Sequence, residues 1–301
     1  MLATGFKNVS VFQTSVGQLV SLFLRFSELK GLSPRTIFYY QDKLGRFLEH
    51  QGEKSPVEKQ DILSFILTLK ERGNSPESIN CYLRALRVFF RWAHSQELIS
   101  SNPMQGIPML RTPRLLVDAL TPSDLQRVLE AIRRTGRNNL RNQAIFLLLL
   151  DTGMRPGELC SLTLEDLNLN ENLVRVSGKT GERLLPISQK TRRALLSYLR
   201  VRQAPLGESN LFLSEKGEPL SLEALRHFFA ALRRRTGIKR LYPYLMRHTA
   251  ATSYLREGAD LETVRRLLGH TSYAVIQRYL SLTPGDLARV QRKVSPVNRL
   301  K

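Results

Sequence analysis

The stretch Thr152-Gly153-Met154-Arg155-Pro156-Gly157-Glu158-Leu159 places an arginine just after a helix break, with a glutamate three residues on to hold it. Upstream, Arg141 to Leu150 reads as a buried helix that Thr152-Gly153 ends. Downstream, Leu173 to Val176 and Arg183 to Ile187 read as two strands. The turn Ser177-Gly178-Lys179-Thr180-Gly181-Glu182 joins them, and glycines flanking Lys179 suit a hairpin tip. Arg233 to Arg235 close a further helix before Gly237, and Leu245 to Leu280 is helical in pattern with Gly258 and Gly269 as interruptions. The expected fold is mainly α with a small antiparallel β-sheet, an α+β arrangement.

On the N-terminal side, Pro103, Pro108 and Pro113 recur with Gly106 among them. Proline at that density cannot sit inside a helix, so 101–119 is expected to be a linker. Thr121-Pro122-Ser123-Asp124 then restarts a helix with a cap and an acidic first turn, which begins a second domain over 120–285. Residues 286–301 form a basic tail. Before the linker, Ser33-Pro34, Ser55-Pro56 and Ser75-Pro76 each set a capping hydroxyl before a proline at the first helical position. Ser55 is also followed three residues on by Glu58. With Leu83, Leu86, Phe89, Phe90 and Ala93 at helical spacing, residues 12–100 read as a four-helix domain. Arg35, Tyr39, Arg84 and Arg87 leave it basic with interleaved aromatics and are its candidate DNA contacts. For any one of them, a solvated arginine or a core aromatic is the plainer reading.

Among 301 residues, 46 Lys and Arg outweigh 26 Asp and Glu, a formal charge of +20. That excess points to a polyanionic partner, with nucleic acid the leading candidate, although ribosomal and membrane-surface proteins can be equally basic. Apolar residues make up 42% of the chain, enough to fold. The apolar run Ala144 to Leu150 is far short of a membrane span. Cys81 and Cys160 stand in no metal-ligand or redox spacing, and no secretory signal is evident, so a cytoplasmic protein is expected.

There is no Walker loop, no dinucleotide fingerprint and no acidic cluster for a magnesium pair. Phosphate chemistry without a metal needs other positive charge at phosphorus, and arginine supplies it in a planar fork. Four pieces meet that need: Arg155 with Glu158; Lys179 on the hairpin; Leu245-Met246-Arg247-His248-Thr249-Ala250-Ala251-Thr252; and Leu267-Leu268-Gly269-His270, followed nine residues later by Tyr279. Each alone has an ordinary reading as an ion pair, a turn or a core residue.

Taken in order and spacing, these pieces resemble the tyrosine recombinase (phage integrase) family. Gly31-Leu32-Ser33-Pro34-Arg35-Thr36, with Tyr39, Tyr40 and Phe47 after it, is similar to the opening of that family's N-terminal DNA-clamping domain. Overall length and layout are nearest the Xer type. The resemblance implies an integrase-like catalytic domain and a site-specific DNA strand transferase without metal, ATP or cofactor. By the same resemblance, Arg155 and Arg247 contact the scissile phosphate, His270 adds a hydrogen bond, Lys179 is the general acid and Tyr279 the nucleophile. Glu158 and His248 hold the arginines and the fold. Double-stranded DNA with specific sites is the implied partner, bound by a homotetramer, with accessory proteins or a second recombinase as further partners and no membrane.

One position departs from the pattern. Tyr244 stands where relatives usually carry histidine, three residues before Arg247, which leaves the acceptor of the Tyr279 proton open. This tilts the expected subtype toward a mobile-element integrase or resolvase (integration, excision or resolution) and away from housekeeping Xer dimer resolution. Two rivals are a type IB topoisomerase, which would relax DNA without exchange, and a non-catalytic DNA-binding regulator on the same fold. The compact N-terminal domain argues against the first, and the full catalytic set against the second.

Overall fold

Hydroxyl and carboxylate caps set the starts of most helices. The computed structural model describes residues 15–52, 55–112, 118–134, 136–178, 181–269 and 291–292. The chain divides into two units, 1–114 and 115–301. In the first, α1 (Val16–Leu29) starts from Ser15, whose hydroxyl accepts from the Gln18 N–H while the Gln18 side chain accepts from the Ser15 N–H. Helices α2 (Pro34–Gln51) and α4 (Pro76–Ser95) start from Ser33 and Ser75 with proline in first place, as their sequences predict.

Helix α3 (Lys59–Glu71) corrects the expectation for Ser55-Pro56. Its N-cap is Glu58, whose backbone N–H donates to the Asp61 carboxylate at 2.8 Å. A carboxylate one turn in satisfies an orphan donor and adds the negative charge a helix start favours, so the helix begins there.

The four helices enclose Phe23, Leu44, Phe47, Phe65, Leu83, Leu86, Phe89 and Phe90, all buried. Rings meet edge-on, Phe23 to Phe89 at 5.6 Å and Phe47 to Phe65 at 5.3 Å between centroids, the arrangement ring quadrupoles prefer. The first part of the proline-rich stretch packs on this unit. Met104 and Ile107 are buried in its core. The Asn80 side chain donates to the Leu110 carbonyl (2.9 Å) and accepts from the Leu110 N–H (2.8 Å). Proline denies these residues a helix, so side chains supply the partners their backbone would otherwise lack.

In the second unit, Thr121 and Asp124 close a reciprocal cap on α5 (Pro122–Arg133). Helix α6 (Asn139–Thr152) is buried continuously from Ala144 to Leu149. It shows no apolar stripe because α5, α8 (Gln189–Leu199) and α10 (Pro243–Arg256) pack around it. The Tyr254 hydroxyl of α10 donates to the Asp151 carbonyl of α6, and burial, with Asp151 nearby, pushes its phenol up to about 12. The chain then forms α7 (Pro156–Ser161) and three antiparallel strands in the order β1 (Leu167–Asn168), β2 (Leu173–Gly178), β3 (Gly181–Pro186). Pairing of β2 with β3 runs from Leu173↔Pro186 to Gly178↔Gly181, with Val174, Val176 and Leu185 inward. The two-residue β1 adds to the expected hairpin; it is too short for alternation to register.

Helix α9 (Leu222–Thr236) ends at Gly237, and α11 (Leu261–Leu268) follows α10. The fold is mainly α with one small antiparallel sheet. Cys81 and Cys160 are free thiols, and burial pushes Cys160 up to about 11. Among the described residues, no helix is long and apolar enough to cross a membrane.

Candidate active site

The site begins where α6 stops. Gly153 caps α6 with φ at 61°, in the left-handed region. A Cβ there would stand 2.6 Å from Leu268 Cδ2 and 3.3 Å from Ala250 Cβ. Only glycine both turns the chain and lets α10 and α11 come this close. The turn delivers Arg155 to the start of α7 and Glu158 three residues on. Glu158 accepts from the Arg155 backbone N–H (2.7 Å) and from Arg155 Nη1 (2.7 Å).

A second guanidinium completes the pair. Arg183 of β3 reaches the same carboxylate, Nη2 to Oε2 at 2.7 Å and Nη1 to Oε1 at 3.1 Å. The Glu158 side chain is 5% exposed. Burial alone would raise its carboxyl pKa, but bonds from Arg183 and Arg155 reverse this and hold it below the ordinary value. The carboxylate also lies against the hairpin, since a Cβ on Gly178 would stand 2.7 Å from Glu158 Oε1.

The third part is the C-terminal end of α11. Leu268 is its last residue, and Gly269 takes φ of 64° as its cap. Three consecutive carbonyls there accept from three arginines of different elements. Arg183 Nε donates to Leu267 (3.0 Å), Arg247 Nη2 to Leu268 (2.6 Å) and Arg155 Nη2 to Gly269 (3.0 Å). Helix C-termini carry orphan carbonyls and partial negative charge, so cations are favoured there. Arg247, buried on α10, also donates to the Gly153 carbonyl at 2.9 Å. It therefore ties the α6–α7 junction to the end of α11.

The fold thus brings Arg155 and Arg247 together from positions far apart in the chain. Arg155 is the more open, its side chain 28% exposed. Lys179, His270, Tyr279 and the basic tail, apart from 291–292, lie outside the described residues; His270 directly follows Gly269, and Lys179 directly follows Gly178. Tyr244 lies on the first turn of α10 and is exposed. His248 follows Arg247 on α10, half-buried. In the first unit, the Tyr39 hydroxyl donates to the Cys81 carbonyl (2.5 Å) and Arg87 Nη2 to the Ile107 carbonyl (2.7 Å). Arg84 pairs with Glu77 at 2.8 Å but remains exposed, as does Arg35.

Sequence reasoning missed Arg183. The signal was present in β3: positions 183, 185 and 187 share one face, and Leu185 and Ile187 are buried. An arginine on that inward face needs a buried partner.

The guanidiniums of Arg155 and Arg247 thus lie on the adjacent carbonyls of Gly269 and Leu268, and the buried Glu158 carboxylate braces the first of them. Residues 118–285 match the phage integrase family, and residues 19–100 match the N-terminal SAM-like domain of phage integrases. The tyrosine recombinase XerC of Thermodesulfovibrio yellowstonii is 33% identical over 291 residues, covering 93% of this chain and 97% of that protein. The Tn1549 transposon integrase in complex with transposon right-end DNA superposes with a TM-score of 0.77 at 21% identity, covering 94% of this chain and 100% of that one. A lambda integrase tetramer bound to a Holliday junction gives 0.73 at 18% identity, covering 88% and 77%. The chain belongs to the phage integrase family. It is an Xer-like, site-specific tyrosine recombinase, an enzyme that acts on DNA.

Proposed function

We propose that Arg155 and Arg247 hold the non-bridging oxygens of a scissile phosphate while Tyr279 attacks the phosphorus. The reading rests on the meeting of both guanidiniums on the adjacent carbonyls of Leu268 and Gly269, one step before His270 in the chain. Charge grows on the non-bridging oxygens in the pentacoordinate transition state, where fixed donors act most strongly. His270 adds a hydrogen bond there. As the bond from phosphorus to the Tyr279 oxygen forms, the phenol releases its proton, the bond to the 5′ oxygen breaks, and Lys179 gives that oxygen a proton. A 3′-phosphotyrosyl link and a free 5′ hydroxyl result. The link keeps the phosphodiester's energy, so a 5′ hydroxyl from another strand reverses the step without ATP or metal.

The four-helix domain (12–100) and the catalytic domain (120–285), joined through 101–119, grip one duplex in the cytoplasm, with Arg35 and Arg84 on its phosphates and Tyr39 and Arg87 shaping the surface behind them. Four copies exchange strands between two sites, and the tail (286–301) docks on a neighbouring copy. Likeness to XerC over nearly its full length supports Xer-type resolution of DNA dimers. A mobile-element role remains the second reading, carried by Tyr244 at the usual histidine position. The test uses a duplex selected by this protein from a randomised pool, then nicked beside the cleaved phosphate so that the covalent complex accumulates. The wild type forms the complex and Tyr279→Phe binds without forming it; an undiminished covalent complex in that variant sinks the assignment.

A further inference from the structure

We infer that Arg183 is a positioning residue that sets the hairpin carrying Lys179 against the end of α11, an inference that rests on Lys179 being the general acid. Arg183 stands two residues after Gly181, where β2–β3 pairing ends at Gly178↔Gly181. From there its guanidinium works in two directions: two bonds to the Glu158 carboxylate of α7, and one from Nε to the Leu267 carbonyl of α11. It also lies against Gly269, where a Cβ would stand 3.0 Å from Nη1. On the opposite strand, the same carboxylate lies against Gly178, the residue before Lys179. One strand at the mouth of the hairpin is thus bonded to Glu158 through Arg183 and the other lies against that carboxylate, and Arg183 reaches on to the carbonyl next to the one that holds Arg247.

Rigidity here has a chemical purpose. A general acid works only when its proton lies on the line to the departing oxygen, and misplacement by about 1 Å costs on the order of 10²-fold. Arg155 and Arg247 keep their own bonds to Glu158, Gly153, Leu268 and Gly269 when Arg183 is removed, so the phosphate clamp survives. The expected defect is therefore confined to protonation of the leaving group. A third arginine on the phosphate would instead slow every leaving group alike.

A substrate with sulfur in place of the departing 5′ oxygen separates these cases, because a thiol with pKa near 8.5 leaves as thiolate without help. The duplex selected by the protein carries oxygen or sulfur at the cleaved position, and single-turnover covalent attachment is followed for the full chain. Lys179→Ala and Arg183→Gln should both be slow on oxygen, Arg183→Gln by about 10²-fold, and both should return to near the wild-type rate on sulfur. In a Lys179→Ala background, adding Arg183→Gln should slow the oxygen substrate no further. Should Arg183→Gln fail to fold, Arg183→Lys carries the same comparison, since one ammonium cannot reach Glu158 and Leu267 together. Restoration of Lys179→Ala without restoration of the Arg183 variant overturns the role given to Arg183 alone. Failure of Lys179→Ala to recover on sulfur overturns the general acid itself, and the inference with it.

Discussion

Replacing Gly178 by alanine probes the brace beneath the site with a single methyl group. The added Cβ would meet Glu158 Oε1 at 2.7 Å, and ordinary contact lies near 3.4 Å, so the carboxylate must retreat by about 0.7 Å. A free glutamate would swing aside at little cost, but this one is buried and held by two guanidiniums and the Arg155 N–H. Oε1 itself takes Arg155 Nη1 at 2.7 Å and Arg183 Nη1 at 3.1 Å, so the retreat stretches at least one of them out of hydrogen-bond range. A charged hydrogen bond contributes about 1.5–3 kcal/mol. Alanine in place of strand glycine returns roughly 0.5–1 kcal/mol of backbone entropy. The net loss is about 1–2 kcal/mol, a fall of roughly 4 °C in the melting temperature of a unit this size. Calorimetry on the full chain reads it directly, with Gly157→Ala as control. Gly157 lies on the exposed face of α7 with open space at its Cβ, so that change should leave melting unchanged or slightly raised. A Gly178→Ala protein that melts with the wild type, or a Gly157→Ala protein that falls as far, would refute the brace.

The depressed carboxyl of Glu158 stabilises the fold above the ordinary value of 4.5, and this contribution is lost as pH falls through the lower folded-state value. The stability gap between wild type and Glu158→Gln in urea denaturation should therefore be widest near neutral pH and shrink below pH 4.5; a gap constant with pH would count against the ion pairs. Asn80→Ala removes both bonds to Leu110 and should destabilise the first unit by about 2 kcal/mol, with faster proteolytic cutting between residues 105 and 112. Unchanged cutting would mean that the clasp does not hold that stretch down. Tyr244→Phe should slow covalent attachment by no more than about tenfold, the scale of one lost hydrogen bond, and Tyr244→His should stay active. A Tyr244→Phe enzyme as inert as Tyr279→Phe would make this phenol indispensable.

Most elements of this protein were legible locally, because a helix start or a hairpin is decided within a few residues. Ser33, Ser75 and Thr121 cap the helices their sequences predict, Gly153 and Gly237 end theirs, and the strands flanking Lys179 pair as expected. The Arg155–Glu158 pair was legible for the same reason, its partners being three residues apart. Local competition also explains the misreading at Ser55: two plausible caps stood three residues apart, and the charge of Asp61 favoured the later one. The convergence of Arg155, Arg183 and Arg247 on Leu267, Leu268 and Gly269 is of another kind. Those carbonyls are orphaned only because a helix ends there, and they meet the guanidiniums only because Gly153 admits α10 and α11 to close approach. Sequence by itself determined which residues carry charge and where several helices begin or end, as at Ser33, Ser75, Thr121, Gly153 and Gly237. Only the tertiary structure decided which distant arginines those helix ends would recruit, since a buried donor and a buried carbonyl select one another by proximity that no spacing along the chain encodes.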